Sequence, residues 1–231
     1  SQTYTFSCWF KTSGYTGYIV SRGHNTHWIE FHNSGSLLSG TSDNTFNTTY
    51  SYNSSFTLST GTWYHVAITY DGSNLKQYIN GTQMFSITGS NVTPNSNMLL
   101  ADDPDESITF AGSIDEVRLW NDIRTTDEIF TNYRIGTSNP FSDSNLKLYL
   151  RMNHSSGNVI YDHSSSMVHG DITGATRTNA SASWSATLGR EGETTWSGNN
   201  DIDDFHTLSF VDSDYSGLDA ASNNFSGLGG R

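Results

Sequence analysis

Thr62–Gln83, TWYHVAITYDGSNLKQYINGTQ, is the stretch from which the architecture is read. Trp63, His65, Ala67 and Thr69 alternate with Tyr64, Val66, Ile68 and Tyr70, and each set lines one face of a strand. Asp71-Gly72 breaks the run, because glycine accepts the positive φ that a tight reversal needs. Leu75–Ile79 is short enough to be the return strand, and Asn80-Gly81 is the dipeptide signal of a type I′ turn.

Outward from this hairpin, the 231 residues are poor in charge and rich in Gly, Ser, Thr, Asn and aromatics. Short alternating runs separated by turn residues predict an all-β domain, and sandwiches of this length commonly form one unit. The formal net charge of -12 argues against a nucleic-acid partner or an anionic membrane surface, which require clustered Lys and Arg. No stretch is long and apolar enough to insert in a membrane as a helix. Cys8 is the only cysteine, so neither an intrachain disulfide nor a CxxC zinc site can form. It falls in the alternation Tyr4, Phe6, Cys8, Phe10, the setting of a buried small hydrophobe.

Further strands are expected at Thr3–Lys11, Gly17–Arg22, Thr26–His32, Met84–Ile87, Asn97–Ala101, Phe110–Trp120 and Leu146–Met152, with short one-sided strands between Gly35 and Thr60. Thr125-Thr126-Asp127-Glu128 reads as a helix start, a side-chain oxygen ahead of acids in the first turn. Ile129, Phe130 and Tyr133 are its expected buried stripe.

The hairpin stretch, together with Phe110-Ala-Gly-Ser-Ile-Asp-Glu-Val-Arg-Leu-Trp120, resembles the laminin-G-like and pentraxin-like jelly rolls of the concanavalin A-like lectin superfamily. Thr3–Lys11 is similar to that family's FTISAWVK strand, and Asn158–Ser164 with Gly170–Thr173 to its closing passage. The resemblance implies an antiparallel two-sheet jelly-roll sandwich with one short helix, spanning residues 1–188 and lacking the family's usual first strand.

An acidic Gly-rich linker follows at 189–204, and then a strand-like tail at 205–231. Phe205–Tyr215, FHTLSFVDSDY, resembles the family's opening strand, with Phe205, Leu208, Phe210 and Tyr215 as the residues expected to mediate assembly. The tail closes its own domain, belongs to one slice of a tandem array, or completes the sheet of a neighbouring copy by strand addition. A flexible acidic linker is the remaining reading. The opening inside a strand pattern is what a piece of a longer secreted protein would show.

For chemistry, the acidic loop stands out. Asp102, Asp103, Asp105 and Glu106 supply several carboxylates within one turn, and Ca²⁺ takes six to eight hard oxygens. The loop is similar in position to the calcium-ligating loop of pentraxins, which implies Asp103 and Asp105 as ligands with Asp102 beside them and Pro104 offering its carbonyl. The family's Asp-Asn pair from an early hairpin corresponds here to Gly23-His24-Asn25-Thr26, so Asn25 matches and the Asp is absent. A solvated acidic loop is the alternative.

Asp115 and Glu116, as neighbours on a strand, are expected on opposite faces and so unable to flank one bond as a glycosidase pair. His27 and His32 likewise face opposite ways, which argues against zinc. Neither a GxSxG elbow nor a phosphate-cradling Gly loop occurs. No catalytic residues are assigned. Trp28 shares a face with Glu30 and His32, opposite Ile29 and Phe31, is expected to be accessible there, and is the candidate ligand-binding aromatic; Tyr15, Tyr18, Tyr50 and Tyr52 lie in or near loops, where each either covers core or is displayed. The expectation is a non-catalytic recognition or adhesion module, extracellular or on the surface of a bacterium, that binds a glycan or a cell-surface partner, with Ca²⁺ in the acidic loop. The alternative is a structural repeat of a surface filament or tandem adhesin, self-associating head to tail.

Overall fold

Both faces of the Trp63–Tyr70 strand are buried, and the layering of the molecule follows from that. The computed structural model describes residues 3–14, 16–21, 27–32, 34–42, 48–89, 98–102, 109–135, 140, 142–152 and 156–177. The expected linker 189–204 and the tail 205–231, with Phe205, Leu208, Phe210 and Tyr215, lie outside the described residues.

The elements in chain order are β1 (Tyr4–Thr12), β2 (Gly17–Ser21), β3 (His27–His32), β4 (Ser36–Ser42), β5 (Thr48–Ser51), β6 (Trp63–Tyr70) and β7 (Asn74–Ile79). Then come β8 (Thr82–Thr88), β9 (Leu99–Leu100), β10 (Gly112–Trp120), α1 (Thr126–Ile135), β11 (Leu146–Leu150), β12 (Val159–Ile160) and β13 (Gly170–Asp171). Strands β11-β10-β1-β6-β7-β8 form a six-stranded sheet, β5-β4-β3-β2-β9 a five-stranded one, and β12-β13 a small pair. The pairings between named strands are antiparallel, as the jelly-roll expectation requires.

The core lies between the two large sheets. Phe6, Cys8 and Phe10 of β1, with Val66 and Ile68 of β6, meet Ile29 and Phe31 of β3 and Leu37 of β4. Cys8 is fully buried there, as its alternation predicts, and burial followed by the Asp115 carboxylate pushes its thiol pKa up. Gln77 of β7 crosses the core: its amide nitrogen donates to the Leu37 carbonyl at 3.1 Å and to Ser39 Oγ at 2.7 Å on the opposite sheet.

The deciding hairpin forms as read. Asp71 Oδ1 accepts from the N–H groups of Ser73 and Asn74 at 2.8 and 2.7 Å. The Asn74 bond is the main reason the Asp71 carboxyl titrates below its ordinary value. Asn80 and Gly81 sit at φ 50° and 77°, the pair of positive values that a type I′ turn demands.

The outer face of the six-stranded sheet is also covered, and here the IDEV passage departs from expectation. Ser7 pairs with Arg118 and Trp9 with Asp115, so residues three apart on β10 face residues two apart on β1. Only a β-bulge reconciles those separations, and Glu116 carries its left-handed φ of 52°. Strict alternation therefore fails at Asp115-Glu116. The bulge turns Glu116 toward Arg118 and Tyr149, whose side chains both hydrogen-bond its carboxylate. Arg118 also donates to the Tyr149 hydroxyl at 3.1 Å, with its guanidinium 4.6 Å from the Tyr149 ring centroid. Burial pushes the Tyr149 phenol up to about 12.

Helix α1 packs over this face. Thr125 caps it: the Glu128 N–H donates to Thr125 Oγ1 at 3.2 Å, and the Thr125 N–H donates to the Glu128 carboxylate at 2.8 Å. Ile129 is buried against Ala67 and Tyr78, and the Tyr133 ring lies 5.6 Å from Trp9 and 6.0 Å from His65. Phe130 is not part of the buried stripe; it is 44% exposed, with its side chain beside Gly81 and under the Arg134 guanidinium. The flat sheet accepts the i, i+4 pair Ile129 and Tyr133, and the intervening residue rotates to the helix edge. Among the described residues, no helix is long and apolar enough to cross a membrane.

His65, wedged between Trp9 and Tyr133, is fully buried. Burial first, and then the Arg118 charge, hold its pKa down to about 3. The unfolded chain takes up this proton near pH 6.5, whereas the folded chain stays neutral far lower, so acid favours unfolding. Stability should fall as pH drops from about 6.5 towards 3, by up to about 1.4 kcal/mol per unit from this group. Urea unfolding of the wild type and His65→Phe across that window tests it. Parallel pH profiles for the two proteins would remove His65 as the cause.

Candidate functional site

One broad sheet face is left without a covering helix among the described residues: the outer side of the five-stranded sheet. Ile29, Phe31 and Leu37 point to the core, so their strand neighbours point away from it. Register then builds a cross-strand row of Leu99, Ser21, Trp28, Gly40 and Tyr50, running over β9, β2, β3, β4 and β5. A second row holds Tyr18, Glu30 and Leu38, and His32 pairs with Ser36 at the hairpin end.

Trp28 stands at the centre. Its ring centroid is 6.0 Å from Tyr18, edge to face, and 6.0 Å from Tyr50 on the other side. The expectation that Trp28 is accessible is corrected: only 8% of it is exposed, because Tyr18 and Tyr50 flank it. The indole lies over Gly40. A Cβ there would come within 2.7 Å of Trp28 Cζ2, 2.7 Å of the Thr49 carbonyl and 2.8 Å of Tyr50 Cβ. The exposed rings are instead Tyr50 at 55% and Tyr52 at 46%, both on or just after β5. Trp28 supports the aromatic surface and the tyrosines display it.

A polar margin adjoins these rings. His32 Nδ1 is 3.0 Å from Ser34 Oγ, which donates to Ser36 Oγ at 3.1 Å. Glu30 is half-buried between Tyr18 and Leu38. His27 points into the core side and His32 outward, as their spacing requires. Such a face offers stacking surfaces beside hydroxyl and carboxylate groups. A convergent pair of carboxylates does not occur on it among the described residues.

The acidic loop is described only at its first residue. Ser21 Oγ donates to the Asp102 carbonyl at 2.9 Å, which fastens the start of the loop to the end of β2. Asn25, Asp103, Pro104, Asp105 and Glu106 lie outside the described residues. No group of three or more His, Cys, Asp or Glu that could hold a metal occurs among the described residues.

A feature that sequence reasoning missed is an apolar cleft of about 390 Å³ between the two large sheets. Tyr4, Phe6, Val20, Ile68, Met98 and Leu119 line it, with Lys147 also on its wall. Its lining comes from both sheets, so no single strand pattern reveals it.

The family model described as the concanavalin A-like lectin/glucanases superfamily matches residues 1–130. No curated protein matches the chain. Among solved structures, the chain is similar to a Bacteroides ovatus protein provisionally assigned to carbohydrate binding, at 20% identity and a TM-score of 0.60. That likeness covers 74% of this chain and 51% of the other, so this chain spans about half that protein's length. A heptameric SAP-like pentraxin from Limulus polyphemus aligns at 20% identity over 57% of this chain and 69% of its own, with a TM-score of 0.48. The CBM40 module of the Ruminococcus gnavus IT-sialidase, bound to α2,6-sialyllactose, aligns at 16% identity over 56% and 82%, with a TM-score of 0.49. These last two likenesses are too loose to bear on function.

Replacing Gly40 by Ala should displace Trp28 and lower stability by about 1–3 kcal/mol, whereas Tyr50→Ala, at an exposed ring, should cost less than about 0.5 kcal/mol. Denaturant unfolding with tryptophan fluorescence measures both. Equal effects would mean that Gly40 does not support the indole.

Proposed function

The chain belongs to the concanavalin A-like lectin/glucanases superfamily, and we propose that within it the chain is a non-catalytic carbohydrate-binding module. The observation that carries this reading is the aromatic cluster of Tyr18, Trp28 and Tyr50 on the sheet face that no described helix covers, with Tyr50 and Tyr52 displayed to solvent. Flat rings present apolar surface to the C–H faces of pyranoses, and the Ser34–Ser36 chain and Glu30 offer partners for hydroxyls. The carbohydrate-binding assignment of the Bacteroides ovatus protein supports the reading, and an extracellular location accords with it.

In this reading Ca²⁺ is held by the loop that begins at Asp102, with Asp103, Asp105 and the Pro104 carbonyl as ligands and Asn25 from the stretch after β2. The tie from Ser21 to Asp102 supports the pairing, because both stretches set out from that one anchored point. A glycan array probed in calcium and again in chelator tests ligand and metal together. Binding to one glycan class is expected, weakened roughly tenfold or more by Tyr50→Ala with Tyr52→Ala. No binder in either condition would sink the proposal, and equal binding in chelator would remove the calcium site.

A second reading, self-assembly by strand addition, is favoured by the apolar cleft. A cleft so lined leaves apolar side chains open to water, and the tail Phe205–Tyr215 carries Leu208 and Phe210 at the i, i+2 spacing that turns two large side chains to one face. In this account the tail of a neighbouring copy enters the cleft. Light scattering over a concentration range should show polymers for the full chain and monomers for a chain ending at residue 177. Monomers throughout would leave the glycan-binding account alone.

A further inference from the structure

We infer that residues 205–215 add a sixth strand to the five-stranded sheet, alongside β9, and seat Leu208 and Phe210 in the apolar cleft of their own copy. The stacking of the two large sheets locates the position. β5 lies against β8 and β4 against β7, so the order β5-β4-β3-β2-β9 runs strand over strand across β8-β7-β6-β1-β10-β11. Counted from that end, β9 falls opposite β10, and the position next to β9 falls opposite β11. The cleft of about 390 Å³ extends to it. Leu119 of β10 and Lys147 of β11 line one wall, and Val20 of β2 with Met98, just ahead of β9, lines the other. Asp162 bridges to the Leu150 end of β11, whereas the cleft lies at the Lys147 end.

Sequence selects the occupant. Among the stretches outside the described residues, Phe205–Tyr215 is the one that places two large apolar side chains, Leu208 and Phe210, at i, i+2, so that a strand turns both to one face. Thr207 and Ser209 then turn the other way, as on a strand buried on one side. Asp212 continues the Leu208–Phe210 face and carries the charge complementary to Lys147, whose Nζ donates to the Ser144 carbonyl at 2.7 Å. Reach selects the copy. From Arg177, the last described residue, residues 178–204 lead to Phe205. At ~3.3 Å per residue they can span about 90 Å, against roughly 40 Å across a domain of this size. A segment tethered within such reach is presented at an effective concentration of about 1 mM, which neighbouring copies match only in very concentrated solution. Strand addition between copies uses the same segment, and concentration separates the two arrangements.

The test is disulfide trapping in the full chain, where the native Cys8 is fully buried. Met98→Cys is combined in turn with Leu208→Cys, Phe210→Cys and Ser209→Cys, and each variant is checked for folding by thermal melting in reductant. Mild oxidation over a range of protein concentrations should close the Leu208 and Phe210 pairings within one chain, giving fast-migrating monomers at a rate independent of concentration. That rate should exceed the Ser209 pairing by roughly tenfold, because position 209 faces away from Met98. Equal trapping at all three positions, or trapping at none, overturns the inference. Crosslinks that form only between chains and grow with concentration also overturn it, and hand the strand to a neighbouring copy. Independently, Phe210→Asp in the otherwise unaltered chain should lower the urea midpoint of unfolding, and an unchanged midpoint would refute a seated Phe210. Glycan binding enters none of these readouts, so their failure leaves the carbohydrate-binding reading standing.

Discussion

A charged pair buried in the wrong place for a simple sandwich governs much of this molecule. Glu116 and Arg118 are both fully buried, on the side of the six-stranded sheet away from the main core. Removing water from two ions is costly, and it is offset only where each finds close, well-directed partners. The bulge on β10 supplies the geometry and Tyr149 on the next strand bonds to both groups, although Glu116 Oε1 and Arg118 Nε and Nη1 stay buried without a hydrogen-bond partner; helix α1 with Trp9 and His65 closes over the neighbouring strands. The six-stranded sheet is thereby committed on both faces. The five-stranded sheet differs: among the described residues its outer face carries no covering helix, and at β5 it displays Tyr50.

This division gives the two sheets different chemistry. On the six-stranded sheet the aromatic residues Trp9, Tyr133 and Tyr149 are packing groups, and exposure is confined to positions such as Phe130 at the helix edge. On the five-stranded sheet Trp28 and Tyr18 are equally well covered, and Trp28 lies beside Tyr50, whose ring is half-exposed. A held ring next to an accessible one suits the proposed aromatic binding surface, because a ring already held in place loses little freedom when a sugar stacks on it.

The fold was legible where local chemistry decides it. Alternation from Trp63 to Tyr70, the Asn80-Gly81 turn and the Thr125 cap each specify one backbone geometry, and each formed accordingly. Alternation failed at Asp115-Glu116, because a bulge is set by what the partner strand requires and not by the strand's own pattern. The candidate site was legible only in part. Trp28 could be placed on the outer face by parity, but its covering depends on Gly40 and Tyr50, which reach it through register across β4 and β5. The cleft depends on two sheets at once, so no run of residues announces it.

Gln77 has a mechanical meaning. Its amide is anchored on one sheet and holds the Leu37 carbonyl and Ser39 Oγ of the other, inside a largely apolar interior. Side chains of aliphatic character can slide past one another at small cost, but an amide cannot slide without leaving buried donors and acceptors unpaired. The residue therefore acts as a shear pin between the layers. A pull applied along one sheet, as when a tethered molecule grips an immobile surface, is transmitted to the other without slippage.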